Sequence, residues 1–157
     1  MIEALRPEHA TAMADVMRRN PGRAFRHGVF IPCSDLTDHD VLEVFEEESP
    51  MDSDLSFGAF DERGLIGFVG AIDEPGEERI KIPLLDARRG KAYSETIADL
   101  VSEVLAVAEH RGRTSLVIES MHPISSVLDL RDDDALDVLF CLGFWQEPII
   151  TAEMRRD

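Results

Sequence analysis

Residues 80–112 read IKIPLLDARRGKAYSETIADLVSEVLAVAEHRG, and this stretch decides the fold. Its apolar start predicts a strand over about 78–85. Ile97, Leu100, Val101, Val104, Leu105 and Ala108 then recur at three- and four-residue spacing, which predicts a helix whose end Gly112 marks. At roughly 1.5 kcal/mol or more for each large residue buried, that stripe is enough to anchor the helix to a sheet. Between strand and helix, Arg88-Arg89-Gly90-Lys91-Ala92-Tyr93-Ser94 concentrates three cations in an otherwise acidic chain.

The residues upstream supply the rest of a sheet. SFGAFDERGLIGFVGAI holds two apolar runs, 56–60 and 65–72, separated by Asp61-Glu62-Arg63-Gly64, a turn composition that predicts an antiparallel hairpin. Glu74-Pro75-Gly76-Glu77 turns the chain again into the strand at 78–85, completing a three-strand meander. Before it, IEALR (2–6) reads as a short strand, and Pro7 opens a helix to about Arg19 with Ala10, Met13 and Met17 on one face. Asn20-Pro21-Gly22 ends that helix, and residues 22–36 read as irregular. Thr37 caps a second helix, with Asp40 in the reciprocal position and Val41, Val44 and Phe45 on its apolar side. Downstream, TSLVIES (114–120) predicts a buried strand, 133–142 a helix, and 145–154 a last strand broken or bulged at Pro148. The order is β-α-α-β-β-β-α-β-α-β. It implies an α/β (α+β) fold with a mixed, mostly antiparallel central sheet and helices on both faces.

With 157 residues, 44% of them hydrophobic, the chain suits a single domain over 1–157. Lys and Arg number 16 against 32 Asp and Glu, a formal charge of −16, which disfavours nucleic acid and anionic membrane surfaces as partners. The excess acid reads either as solubility or as a field that attracts cationic substrates such as amines. No stretch reads as a signal peptide or a membrane span, and Cys33 and Cys141 sit in separate apolar neighbourhoods, so a cytoplasmic protein with buried free thiols is expected.

A helix N-terminus carries unpaired N–H groups and about half a positive charge, so the basic loop at 88–94 has the makings of a phosphate site. The other reading is a solvated turn whose arginines neutralise nearby acids. Neither GxxxxGK[ST] nor GxGxxG occurs in a suitable context.

Together, the order of elements and this loop resemble the GCN5-related N-acetyltransferase (GNAT) family, over nearly the whole chain. Members of that family place an Arg/Gln-x-x-Gly-x-Gly/Ala loop between a strand and a helix, where backbone amides hold the pyrophosphate of acetyl-coenzyme A. Here Arg89, Gly90, Lys91, Ala92, Tyr93 and Ser94 fit that pattern, with Ala92 and Ser94 where glycine is usual. A second match lies in Asp132, Ala135, Phe140 and Gly143-Phe144, where Phe140 takes the place of a tyrosine that protonates the leaving thiolate.

The resemblance implies an acetyl-coenzyme A-dependent N-acetyltransferase that acts on an amine, a small molecule or a protein amino group, by direct transfer. Ile82, Pro83 and Leu84 would line the pantetheine arm, and a bulge or splay at Pro83 would accommodate its missing N–H. Glu78 and Glu119 are the general-base candidates, and Ser125, Ser126, His122 and Cys141 the acids near enough in sequence to replace the tyrosine. The departures at Ala92, Ser94 and Phe140 leave a second reading, a catalytically degenerate module that senses coenzyme A or binds a protein. The resemblance also implies a possible homodimer through the last strand.

Overall fold

A computed structural model describes residues 1–46, 49 and 51–118, together with the backbone of 124–125. β1 (Ile2–Ala4) is followed by a single 3₁₀ turn at Pro7–His9 that runs into α1 (Ala10–Arg18). Proline suits that first position, because the N–H it lacks would have no intrahelical partner. The expected face of α1 is the buried one: Ala10, Met13, Ala14 and Met17 are all sealed.

The stretch expected to be irregular, 22–36, instead forms a hairpin of β2 (Arg23–Arg26) and β3 (Val29–Pro32). Its turn is His27-Gly28, with φ of +48° and +87°. A two-residue hairpin turn of type I′ needs positive φ at both central positions, normally met by Asn-Gly or Asp-Gly. Histidine in the first place hid the signal.

α2 (Asp38–Leu42) has the expected capping box: Thr37 Oγ1 accepts the Asp40 N–H at 3.1 Å, and Asp40 Oδ2 accepts the Thr37 N–H at 3.0 Å. The same Oδ2 accepts from Arg26 Nη1 at 2.9 Å, so one carboxylate ties the hairpin to the helix. Burial pushes the Asp40 carboxyl up, but the Thr37 N–H and the Arg26 guanidinium outweigh it and hold the group below its ordinary value. Asp40→Ala is expected to cost about 2 kcal/mol in denaturant unfolding, through a lost cap and a half-buried arginine left without its partner. Asp40→Asn keeps the cap acceptor and should lose about half as much.

β4 (Phe57–Asp61), β5 (Gly64–Glu74) and β6 (Arg79–Ala87) make the expected antiparallel meander. α3 (Tyr93–His110) crosses back to β7 (Ser115–Ile118), which runs parallel to β6. The main sheet has the order β1-β4-β5-β6-β7, and β8 (Ile124–Ser125) joins the first hairpin in a smaller sheet of order β3-β2-β8. Leu116, Val117 and Ile118 are half-buried, so β7 is less enclosed than its apolar composition suggested.

Helices cover both faces of the main sheet. On one, Ile97, Leu100, Val101 and Val104 of α3 pack on Val69, Ala71, Ile80, Ile82 and Leu85; on the other, Met13 and Met17 of α1 with Val41 and Val44 pack on Leu65, Phe68 and Leu84. Cys33 is buried in the second cluster. The C-terminal end of α3 is held to the sheet by ions: Asp73 accepts from Arg113 at 2.7 Å and from Arg111 at 2.9 Å, and Arg111 also reaches Asp52 at 3.0 Å. The helix and strand expected over 133–142 and 145–154, with Phe140, Cys141 and Gly143-Phe144, lie outside the described residues.

Candidate functional site

Two features of the backbone meet at the C-terminal half of β6. The first is a bulge. Gly70 pairs with Leu84 while Ile72 pairs with Lys81, so Ala71 stands opposite two residues, Ile82 and Pro83. Proline falls where a strand can spare a donor. The extra residue also shifts the side-chain alternation, which is why Ile80 and Ile82 share a core face with Leu85 and Ala87.

The second feature is the edge of β6 that faces away from β5. β7 takes that edge from Arg79 through Ile82, and on the other edge Leu84–Ala87 continue along β5. The Arg88 N–H donates to the Ile66 carbonyl at 2.8 Å, which sets the alternation of backbone groups along this segment: Leu84 and Asp86 turn theirs toward β5, and Leu85 turns its N–H toward the opposite edge.

The basic loop continues directly from this edge. Gly90 adopts φ of +145°, a conformation that side chains resist, although a Cβ would meet no atom there. Glycine is thus needed at 90 for its backbone. Ala92 caps α3 at φ of −87°, and Ser94 lies within the helix; neither is among the residues of positive φ. Both fill their places without strain. Among the described residues no side chain caps this helix; the Tyr93 N–H turns back onto the Gly90 carbonyl, and those of Ser94 and Glu95 are left to face an anion.

The loop cations are loosely held. Arg89 stacks over the Tyr93 ring at 4.3 Å and approaches Asp86 only to 4.0 Å; Arg88 approaches Asp15 to 4.0 Å, and its buried Nε has no hydrogen-bond partner among the described residues. Lys91 is exposed and, among the described residues, makes no ion pair. Arginines that merely neutralised local acids would close to hydrogen-bond distance, as Arg113 does on Asp73.

Ile82 and Leu84 are fully buried, in the cores of opposite faces, with Ile82 paired to Ile118 and the backbone of Leu84 turned toward β5. Glu78 is exposed and lies just outside β6, at φ of +54° after the 3₁₀ turn, with its carbonyl accepting the Thr114 N–H at 2.8 Å. It stands roughly 15 Å of extended strand from the bulge. Glu119, His122 and Ser126, and the side chain of Ser125, lie outside the described residues. Within them, no group of three or more His, Cys, Asp or Glu is placed to hold a metal ion, and no helix is long and apolar enough to cross a membrane.

Asn20 and Asp86 escaped the sequence reading. Asp86 is 1% exposed, and Asn20 Nδ2 donates to its Oδ2 at 3.0 Å while the Ala87 N–H donates to Oδ1 at 2.9 Å. Burial pushes its carboxyl up to about 6, against the opposing pull of Asn20, the Ala87 N–H and Arg89. The unfolded chain titrates this group near 3.8, so between the two values the folded protein carries a proton that the unfolded chain has lost. Stability from this group therefore falls as pH rises through that window. Asp40, Asp73 and Glu74 are held below their ordinary values, and their contribution disappears only under more acid conditions. The protein is expected to be about 1 to 1.5 kcal/mol more stable at pH 5 than at pH 7.5, read as a melting temperature that rises on mild acidification and then falls.

No family model matches this sequence, and no curated protein matches it. Solved structures do. The ribosomal-protein-S18-alanine N-acetyltransferase from Escherichia coli superposes with a TM-score of 0.65 at 12% identity, over 94% of this chain and 79% of that one. The ribosomal-protein-alanine N-acetyltransferase from Brucella melitensis biovar Abortus 2308 gives 0.57 at 16% identity, over 95% and 97% of the two chains. The aminoglycoside 6'-N-acetyltransferase from Enterococcus faecium gives 0.58 at 16%, over 91% and 83%. Identities this low carry the fold and not the substrate. The fold of this chain, a mostly antiparallel sheet with a bulge in β6 and a glycine-bearing loop leading into α3, is the fold of these N-acetyltransferases, as the resemblance to the GCN5-related family implied.

Proposed function

We propose that this protein is an N-acetyltransferase that takes acetyl-coenzyme A as donor and passes the acetyl group directly to an amine. The reading rests on two features of one segment: the bulge at Ile82–Pro83, beyond which we infer that β6 parts from its parallel neighbour, and the basic loop and uncapped helix end that follow it along the chain. An extended arm ending in a diphosphate matches both. The pantetheine arm lies along Pro83–Ala87 as a strand would, and the diphosphate sits on the first turn of α3 beside Arg89, Gly90, Lys91, Ala92, Tyr93 and Ser94.

The chemistry asks little of side chains. The neutral amine attacks the thioester carbonyl, the N–H of Leu85 donates to the oxygen that gains charge, and the C–S bond breaks to release coenzyme A as thiolate. A thiolate, a much weaker base than an alkoxide, leaves without a strong acid, and the amine proton passes to water or to a carboxylate reached through it, the role for which Glu78 and Glu119 are the candidates. The formal charge of −16 favours a cationic acceptor by raising its local concentration.

Isothermal titration calorimetry with acetyl-coenzyme A tests the reading, followed by thiol release with a panel of amines. Micromolar binding with amine-dependent thiol release is the expected result. No binding by folded protein at millimolar donor removes this segment of β6 and the loop from any donor site.

A further inference from the structure

Asp86 is a buried carboxylate set three residues before Arg89, and its surroundings leave it one charged neighbour. Asn20, just past the end of α1, donates to Oδ2, and the amide cannot turn over because its own Oδ1 accepts the Gly22 N–H at 2.8 Å. The Ala87 N–H takes Oδ1. From β5 the cross-strand partner is Phe68, fully buried and uncharged, and the buried residues of the first turn of α3, Tyr93 and Thr96, bring no formal charge. On α1, Asp15 is engaged with Arg19 at 3.4 Å and with Arg88 at 4.0 Å. Lys91 is exposed at the loop tip. Among the described residues, Arg89 Nη1 alone brings a charge near Asp86, at 4.0 Å from Oδ1: too far to share a proton, close enough to act through space.

We propose that Asp86 and the phosphates of the donor compete for Arg89, so that donor binding and protonation of Asp86 are linked. This rests on the reading of the loop as the donor's phosphate site. A diphosphate at the loop brings negative charge toward a buried carboxylate and draws the guanidinium away from it. Both changes favour the neutral acid, and the proton is taken from solvent onto a carboxylate oxygen. Burial already holds the group near the pH at which the protein is handled, at about 6. Linkage is reciprocal: whatever factor the donor adds to proton affinity, the proton adds to donor affinity.

The test uses the wild-type protein and dephospho-coenzyme A, which retains the diphosphate but lacks the 3'-phosphate whose own ionisation near pH 6 would interfere, as phosphomonoesters do at about that value. Calorimetry is run from pH 5.5 to pH 8 at constant salt, in two buffers of different ionisation enthalpy. The expected result is net proton uptake around pH 6.5, with binding about threefold to tenfold tighter at pH 5.5 than at pH 8. D86N should abolish the uptake and the pH dependence, which a merely structural Asp86 would not contribute. If the amide introduced at position 86 clashes with that of Asn20 and the variant fails to fold, a carbon-detected NMR titration of Asp86 in the wild type should show its pKa rising when dephospho-coenzyme A is added. Binding without proton exchange, or tighter at high pH, overturns the linkage and leaves the donor loop standing; no binding at any pH overturns the donor reading and this one with it.

Discussion

Arg89→Glu is expected to weaken acetyl-coenzyme A binding by at least about 100-fold while leaving the melting temperature within a few degrees of wild type. A charge-assisted hydrogen bond is worth about 1.5–3 kcal/mol, and reversal adds repulsion to its loss, so a 100-fold effect is the lower end of what the change should produce. The geometry makes the position sensitive. Arg89 sits at the second residue of the loop, stacked on Tyr93, whose own N–H closes the turn onto the Gly90 carbonyl at 3.2 Å. Its hydrogen-bond donors are not committed to Asp86, which lies at 4.0 Å. A glutamate there faces both the incoming diphosphate and the buried Asp86. Stability is little involved, because the side chain is one-third exposed and replaces no core contact. Dephospho-coenzyme A should lose as much as acetyl-coenzyme A, since the diphosphate is the group concerned. Lys91→Glu, at an exposed and salt-screened position, should cost only about threefold to tenfold and lose its effect at high ionic strength. Unchanged affinity in Arg89→Glu would remove the loop from the site.

Why this much was legible in the sequence, and no more, follows from the kind of signal each element carries. α3 and the β4–β5 hairpin announce themselves through period and turn chemistry, both local properties, and the Thr37–Asp40 box is a three-residue pattern whose two hydrogen bonds form as the pattern requires. The β2–β3 hairpin was lost because its turn needs left-handed backbone at His27, where no residue type marked it, and because Arg23 and Arg26 break the apolar alternation. Pro83 marked a place where the strand could bulge. Where along the sheet that bulge falls depends on the register of β6 against β5, a relation between distant segments. Asp86 was harder still. In LLDARRG an acid before two arginines reads as a solvated turn, yet the chain stays in strand through Ala87 and carries the carboxylate under the residue that ends α1. Asn20 in turn reads as a helix stop, which it is; that its amide also faces a carboxylate 66 positions away is set by the packing of α1 on β6.

The same separation of local from distant signals bears on how α3 holds the loop, and Ile97→Ala addresses it. Ile97 is fully buried one turn beyond the loop, in the cluster that contains Leu85, Ala87 and Tyr93. Removing its three outer carbons should cost about 3–4 kcal/mol, as transfer energy plus an unfilled cavity, and lower the melting temperature by about 10 °C. The N-terminal end of the helix has a second hold on the sheet. A Cβ on Gly67 would lie 2.7 Å from Thr96 Cγ2 and 3.1 Å from the Asp86 carbonyl, so the helix sits as close to β5 as it does only because residue 67 has no side chain. With Gly67 and Thr96 intact, the first turn of α3 should keep its place when Ile97 is cut back. Donor affinity measured well below the transition should then fall by less than about tenfold, a small effect beside that of Arg89→Glu. The two numbers, stability lost and affinity lost, assign Ile97 to the core if they separate in this way. A melting temperature close to wild type with a 100-fold loss of donor binding would instead place Ile97 in the wall of the site, and the donor site proposed along β6 would have to extend beneath α3.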